Sequence, residues 1–303
     1  MYGQQGADIR TAFEVGSGRH GCVKPLLGNG IFTQDGKDWE ASRKLLAPMI
    51  QRPTLPDLNL FERGFQQLQG LMIEQGFVID IKERLLDLSL RMITDFLLGT
   101  SADPGATALN ATALNATDWM DKFAAEFNTA FKWISKRERF KIFYWMVDGL
   151  EFRKSCSAAK RLVDELICRA MEVRKTEKLG SASSETYIAL EPLLRHAQDP
   201  KPIRDQYMNL ILAGKDSSGA LLSWVFYALA REPLLLAELV EEIECMLGSD
   251  ETCKPNKTEL NAMLKLDRFV CESKYQMLIR TSCSDHPLTT ASWQPCGFSP
   301  LFL

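Results

Sequence analysis

The longest apolar stretch of the sequence is interrupted by small and polar residues at 213–219, which read Ala-Gly-Lys-Asp-Ser-Ser-Gly. Gly214 and Gly219 each cost a helix about 1 kcal/mol relative to alanine, and chains keep such local defects mainly at functional sites. The serine hydroxyls can bond back to the carbonyls of Ala213 and Gly214, which opens or bends a helix. The missing side chain at Gly214 would also let a flat ligand approach the backbone.

The same residues allow a purely structural interpretation. Small residues let two helices pack closely, and in that case Lys215 and Asp216 would face solvent. The residue types favour neither interpretation over the other.

A second candidate pair is Trp39 and Arg43, which lie four residues apart and therefore share one helix face. An indole N–H and a guanidinium that point the same way can bind a carboxylate or propionate through charge-assisted hydrogen bonds. The alternative is a core tryptophan beside a surface arginine.

Helical spacing and helix-ending glycines and prolines predict the elements that carry these residues. After an irregular opening, helices are expected at 36–50, 56–76, 79–100, 118–146, 148–178, 203–232, 233–248 and 259–272. Strand signals are nearly absent, so the predicted fold class is mainly α.

Composition excludes several classes of protein. A net charge of −3 over 303 residues gives no reason to expect a nucleic-acid partner. Eight scattered cysteines and three histidines do not match a zinc site or a secreted disulfide framework. No predicted helix has the length and apolarity of a membrane span, since Lys215 and Asp216 interrupt the most apolar stretch.

We predict two segments, a helical domain over 1–272 and a divergent, disordered tail over 273–303. Between Thr281 and Leu303 the only formally charged residue is Asp285, although the whole chain is one-quarter charged. Within the domain, 100–117 contains a duplicated Ala-Thr-Ala-Leu-Asn and is expected to be a loop or insertion.

Several segments in order resemble the cytochromes P450, especially fungal alkane and fatty-acid hydroxylases. GNGIFTQDGKDWEASRKLLAPMI resembles their C-helix region, LAGKDSSGALLSWVFYALAREP their I helix, and PLLLAELVEEI the next helix; LKLDRFVCES resembles the start of their K helix. The resemblance covers about 15–272. It implies part of the P450 helical domain, from about helix B′ to the start of K, without the N-terminal β lobe and the haem-ligand loop.

The resemblance also implies roles for individual residues. Trp39 and Arg43 would bind a haem propionate, and Ala213 and Gly214 would line the oxygen-binding groove. Asp216 and Ser217 would be the acid and alcohol that relay protons, although the family more often has threonine at the second position. Electrons would come from NADPH through a reductase partner, and the substrate would be a small apolar molecule.

Departures from the family pattern concern the proximal side of the haem. Glu272 is followed by Ser273, Lys274 and Tyr275, so the arginine of the family's Glu-x-x-Arg is missing. Cys296 lacks the flanking residues of the family's thiolate loop, so no metal ligand is assigned and we expect a chain incomplete at both ends. The resemblance implies a location on the cytoplasmic side. The family's endoplasmic-reticulum anchor has no counterpart in this sequence.

Two functions follow from these observations. The first is a haem-dependent monooxygenase that hydroxylates a fatty acid or alkane, inactive in the form of this truncated chain. The alternative is a catalytically dead helical module that binds an apolar ligand or a protein partner.

Overall fold

The computed structural model describes residues 14–50, 58–75, 80–98, 116–177, 193, 199–248 and 255–283, and every regular element within them is a helix. The mainly-α prediction is therefore confirmed. The α-helices are α1 (Ser17–Leu27), α2 (Gly36–Ile50), α3 (Leu58–Gln75), α4 (Ile81–Leu98), α5 (Ala116–Arg139), α6 (Leu150–Glu177), α7 (Pro200–Arg231), α8 (Pro233–Leu247), α9 (Lys257–Ala262) and α10 (Leu264–Cys283). A 3₁₀ helix, Lys141–Met146, connects α5 to α6.

The chain divides into two compact units, Met1–Gly219 and Ala220–Leu303, with the boundary inside α7. The predicted division into a domain and a tail at 272/273 stays a prediction. Residues 284–303, and with them Cys296, lie outside the described residues, as does most of the predicted 100–117 loop.

The core of the first unit is built around aromatic side chains that recur every four residues on α5. Trp119, Phe123, Phe127 and Phe131 follow one another along the helix, with successive ring centroids 5.2, 5.6 and 6.3 Å apart. A spacing of four residues keeps side chains on one face, so α5 buries a continuous aromatic stripe. This stripe belongs to a larger core that includes Phe152 and Val163 of α6 and Tyr207 of α7.

The second unit has its own small core, formed by Ala228, Leu239 and Phe269. Its helix ends follow the signals in the sequence: Pro233 opens α8, and Gly248 ends it with a φ of +81°. Asn256 caps α9 through a reciprocal capping box with Glu259.

Three features of the fold differ from the sequence prediction. Helix α1 lies in the opening that was expected to be irregular. The prediction missed this helix because its glycines and internal Pro25 hide the helical pattern. The helix predicted over 118–146 ends at Arg139, and Lys141 has a φ of +49° where the 3₁₀ helix begins. The last helix continues past 272 to Cys283, since 273–283 contains neither glycine nor proline to end it.

None of the described helices is both long and apolar enough to cross a membrane by itself. Taken together, α7 and α8 meet the length and composition criteria, but they are bent by 110° where they join.

Candidate functional site

Helix α7 carries three buried polar residues in its first turns, Asp205, Gln206 and Asn209, and all three bind the loop between α1 and α2. Their side-chain oxygens accept hydrogen bonds from successive loop amides: Asn29 N to Asp205 at 2.8 Å, Ile31 N to Gln206 at 3.1 Å, and Phe32 N to Asn209 at 3.0 Å. Asn209 Nδ2 also donates to the carbonyl of Leu27, at 3.0 Å. We call these three residues the α7 polar cluster.

The buried charge of Asp205 is compensated within the first unit. Arg204 donates to Asp205 Oδ1 at 3.0 Å and to Asp164 of α6 at 2.9 Å. A buried carboxylate is tolerated when it is paired and hydrogen-bonded in this way.

The loop between α1 and α2 needs glycine where it meets the cluster. A Cβ on Gly28 would lie 2.1 Å from the Asp205 carboxyl carbon, and one on Gly30 would lie 2.2 Å from Asn209 Nδ2. Gly28 also has a φ of +67°, a backbone conformation that residues other than glycine rarely adopt. Thr33 closes the turn by donating to the carbonyl of Gly28 at 2.8 Å.

The α7 polar cluster also connects α7 to α2, the helix that carries Trp39 and Arg43. Gln206 Nε2 donates to Ser42 Oγ at 2.7 Å. Ser42 is three residues after Trp39, so the two side chains are about 60° apart around α2, and Trp39 and Arg43 are about 40° apart. Trp39 therefore lies on the side of α2 between the contact with α7 and Arg43.

Helical geometry relates this contact to the polar interruption of α7. Ala213 and Ser217 follow Gln206 by 7 and 11 residues, which places both within about 20° of it around the helix axis. They lie about 10 Å and about 16 Å farther along that axis. Ser42 of α2 thus binds the same stripe of α7 that carries Ala213 and Ser217.

The Trp39–Arg43 pair is preorganised on α2. The Arg43 guanidinium carbon lies 5.4 Å from the centre of the Trp39 ring, so the shared face predicted from their spacing is confirmed. Trp39 is half-buried and Arg43 is exposed. Among the described residues, neither side chain donates a hydrogen bond to another residue.

Gly214 and Gly219 serve helix packing. A Cβ on Gly214 would lie 2.6 Å from Ile93 Cγ1, and one on Gly219 would lie 2.6 Å from Leu86 Cδ2, both on α4. The packing interpretation therefore holds for the space beside these two glycines. The approach of a flat ligand to the backbone of Gly214 stays a prediction.

The polar residues of the interruption have separate environments. Lys215 is buried, with Nζ 5.6 Å from the centre of the Phe131 ring and 3.2 Å from Asp216 Oδ1, so the packing interpretation is wrong in placing Lys215 toward solvent. Ser217 is exposed and donates to the carbonyl of Ala213 at 2.5 Å, which confirms the predicted bond back along the helix. Asp216 and Ser217 are neighbours, but the carboxylate is paired with Lys215 rather than with the serine.

We expect Gly214→Ala to lower the free energy of unfolding by about 1–3 kcal/mol, because the new methyl overpacks against Ile93. Adding Ile93→Ala should recover part of that loss, with a favourable coupling of about 1 kcal/mol. Denaturant titrations of the two single variants, the double variant and the original chain measure this coupling.

Gly70→Ala on α3 is the matched control, since a Cβ there meets no atom within 4 Å. It should be neutral or slightly stabilising, as expected for alanine in a helix. Strictly additive effects of the Gly214 and Ile93 substitutions would contradict the packing contact.

Two of the described cysteines, Cys22 and Cys156, are buried. Burial raises the pKa of the Cys156 thiol to about 12 and also raises the pKa of Cys22, so both thiols stay protonated near neutral pH. No group of three or more His, Cys, Asp or Glu side chains in the described part could hold a metal ion. Glu272 accepts a hydrogen bond from Gln276 at 3.0 Å in place of an arginine.

The sequence reasoning identified Trp39, Arg43 and the polar interruption of α7, but it missed the α7 polar cluster. The available signal was the polar residues at 205, 206 and 209, which together with Arg204 interrupt the otherwise apolar and aromatic stretch from Ile203 to Leu212. Their function in orienting α2 depends on a loop far away in sequence, which helical periodicity does not reveal.

Comparisons with known proteins show the family of this chain. The Cytochrome P450 family model matches residues 14–273. Cytochrome P450 52A13 of Debaryomyces hansenii is 31% identical over 257 residues, 84% of this chain and 49% of the relative. Cytochrome P450 monooxygenase g430 of a Fusarium species is 33% identical over 271 residues, 85% of this chain and 46% of the relative.

Solved structures show the same fold. The crystal structure of the cytochrome P450DA heme domain aligns with a TM-score of 0.60 at 17% identity, covering 86% of this chain and 55% of that one. The chain spans about half the length of the curated relatives it matches. Since the family model covers most of the sequence, the chain belongs to the cytochrome P450 family.

Proposed function

We propose that this chain provides the distal half of a haem-dependent monooxygenase that hydroxylates an apolar substrate such as a fatty acid or alkane. The observation that carries the proposal is the hydrogen bond between Gln206 and Ser42. It joins the helix of Trp39 and Arg43 to the stripe of α7 that contains Ala213 and Ser217.

Haem is the cofactor of this family, and the donor groups of the chain fit one of its propionates. The indole N–H of Trp39 and the guanidinium of Arg43 share a face and have no hydrogen-bond acceptor among the described residues. A propionate carboxylate would accept from both. Bound haem supplies the activation of dioxygen, which no side chain of the chain can perform.

The remaining residues would control protons and water near this cofactor. Ser217 has an exposed hydroxyl and adjoins Asp216 in the sequence, and we assign to these two residues the relay of protons from solvent. Lys215 pairs with that carboxylate at 3.2 Å beside the apolar rings of α5. Lys215 is thus a positioning residue for Asp216.

In this proposal, the redox partner and the location of the protein are inferred from the family. Electrons would come from NADPH through a reductase, on the cytoplasmic side of the endoplasmic reticulum. The residues that flank Cys296 do not match the family's thiolate loop, so we infer that the 303 residues alone do not complete the catalytic centre. Adding haem, reducing the sample and adding carbon monoxide tests this inference, because a thiolate-type Soret shift would contradict it.

The propionate assignment predicts that Arg43→Gln weakens haem binding by about tenfold or more, because a charge-assisted hydrogen bond is lost. Haem titration followed by absorbance measures the dissociation constants. Lys44→Gln is the matched control, since Lys44 is adjacent, exposed and paired only at the surface with Glu40, at 2.8 Å. Equal dissociation constants for the two variants would exclude this role for Arg43.

A further inference from the structure

Helix α8 of the second unit exposes a continuous apolar stripe to solvent. Leu236 and Val240 are each 42% exposed and Ile243 is 36% exposed, whereas Leu247 is half-buried. The intervals of four, three and four residues place these side chains within about 60° of one another around the helix axis. We call the four residues the α8 stripe. Single exposed apolar residues are ordinary, but a contiguous stripe along a helix marks an interaction surface.

The α8 stripe stands on a helix that is fixed on its other side. Leu239 is buried and shares the core of the second unit with Phe269 of α10. Glu242 accepts hydrogen bonds from the amides of Lys265 and Leu266, at 2.8 and 2.9 Å. The first amides of a helix have no partner within it, so this carboxylate caps the start of α10. These contacts hold α8 against α10 and leave the stripe uncovered.

All charged residues of α8 are glutamates. Together with Glu232, which precedes the helix, they give the segment 232–247 a charge of −5, since it contains five Glu and no Lys, Arg or Asp. Glu244 lies about 40° from Val240 around the helix axis, and Glu241 lies about 100° from it. Both glutamates are exposed. The α8 stripe therefore has an acidic border.

We propose that the α8 stripe binds an amphipathic helix of a partner protein, and that Lys and Arg border the apolar face of that helix. The spacing of the stripe is that of the a and d positions of a coiled coil, where apolar side chains of two helices interlock. In this register Glu244 occupies an e position, which faces a g position of a parallel partner and favours a cation there. The contact does not depend on haem or on the proposed reaction.

Charge complementarity favours a basic helix over two other occupants. A symmetric dimer through the α8 stripe would bring two segments of charge −5 together, because the same patch meets itself in such an interface. Helices that lie on anionic membranes carry Lys and Arg on their polar face, and α8 has neither. A basic helix covers the apolar side chains and also compensates the glutamates.

Binding of a synthetic peptide to the full chain tests the proposal. The probe is a fluorescently labelled peptide of about three heptads, with Leu at positions a and d and Lys at positions e and g. We expect saturable binding, measured by fluorescence anisotropy, that becomes weaker as salt is added. A peptide with Glu in place of each Lys should bind at least about tenfold more weakly, because like charges then face each other.

Two variants of α8 separate the apolar and the charged parts of this contact. Val240→Ser, Ile243→Ser should raise the dissociation constant of the Lys peptide at least about tenfold, because less apolar area is buried. Glu241→Gln, Glu244→Gln should raise it about threefold and reduce its salt dependence. The glutamine variant keeps every apolar side chain of α8, so it tests the proposal even if the serine variant does not fold.

The matched control is Phe65→Ser, Ile73→Ser, which removes two exposed apolar side chains from α3 and should bind the Lys peptide as the original chain does. Equal affinity for the Lys and Glu peptides would overturn the proposal, as would equal losses in the two serine variants. Self-association that Val240→Ser, Ile243→Ser abolishes in sedimentation experiments would assign the α8 stripe to a second copy instead. Binding to phosphatidylserine vesicles that the same variant abolishes would assign it to a membrane.

Discussion

Replacement of Arg137 by methionine is expected to lower the free energy of unfolding by about 2–4 kcal/mol. The guanidinium is buried, with its carbon 4.8 Å from the Phe152 ring centre, and donates to the carbonyls of Val147 and Gly21 at 3.0 and 3.1 Å. Methionine keeps the apolar stem but leaves both carbonyls without this donor. Each carbonyl that water does not reach then lowers the free energy of unfolding by about 1–3 kcal/mol. Denaturant titration followed by circular dichroism measures the change.

Arg139→Met is the control, because Arg139 is exposed and two residues farther along the same helix. Surface substitutions of this kind usually change stability by less than about 0.5 kcal/mol. Equal effects of the two substitutions would mean that the contacts of Arg137 contribute nothing to the connection between α5 and α6.

Asn209→Ala is expected to cost about 3 kcal/mol of stability and also to weaken haem binding. Its fully buried amide accepts from Phe32 N, and donates to Leu27 O and, at 2.6 Å, to Asp205 O. Alanine leaves a cavity and removes the partners of the loop amide and carbonyl. Because the loop leads directly into α2, its release should disturb Trp39 and Arg43. Denaturant titration and haem titration of the same variant measure both effects.

An exposed helical asparagine supplies the control: Asn261→Ala on α9 should leave stability within about 0.5 kcal/mol and haem affinity unchanged. A stability loss in Asn209→Ala without any change in haem affinity would show that Asn209 stabilises the fold but does not influence haem binding. In that case the α7 polar cluster would stabilise the first unit without orienting α2 for a ligand.

Local signals in the sequence were enough to predict most of the helices and to identify the candidate residues. The predicted 36–50 helix matches α2, and 203–232 lies within three residues of α7. Periodicity also placed Trp39 and Arg43 on one face, since an interval of four residues has that meaning in any helix.

Other features depended on contacts between distant segments. The break after Arg139 rests on Tyr144 turning toward α1, and the burial of Lys215 rests on Phe127 and Phe131 of α5. The use of Gly214 for packing depends on Ile93, about 120 positions earlier. A helical pattern shows which residues share a face, but it does not show which partner covers that face.

Helix α7 recognises the α1–α2 loop through the main chain. The amides of Asn29, Ile31 and Phe32 supply the donors, and such groups are the same for every residue type except proline. Homologous chains are thus free to vary these three side chains while keeping the two glycines and the acceptors on α7. Such variation can reshape the surface above the loop without altering the position of the helix that follows it.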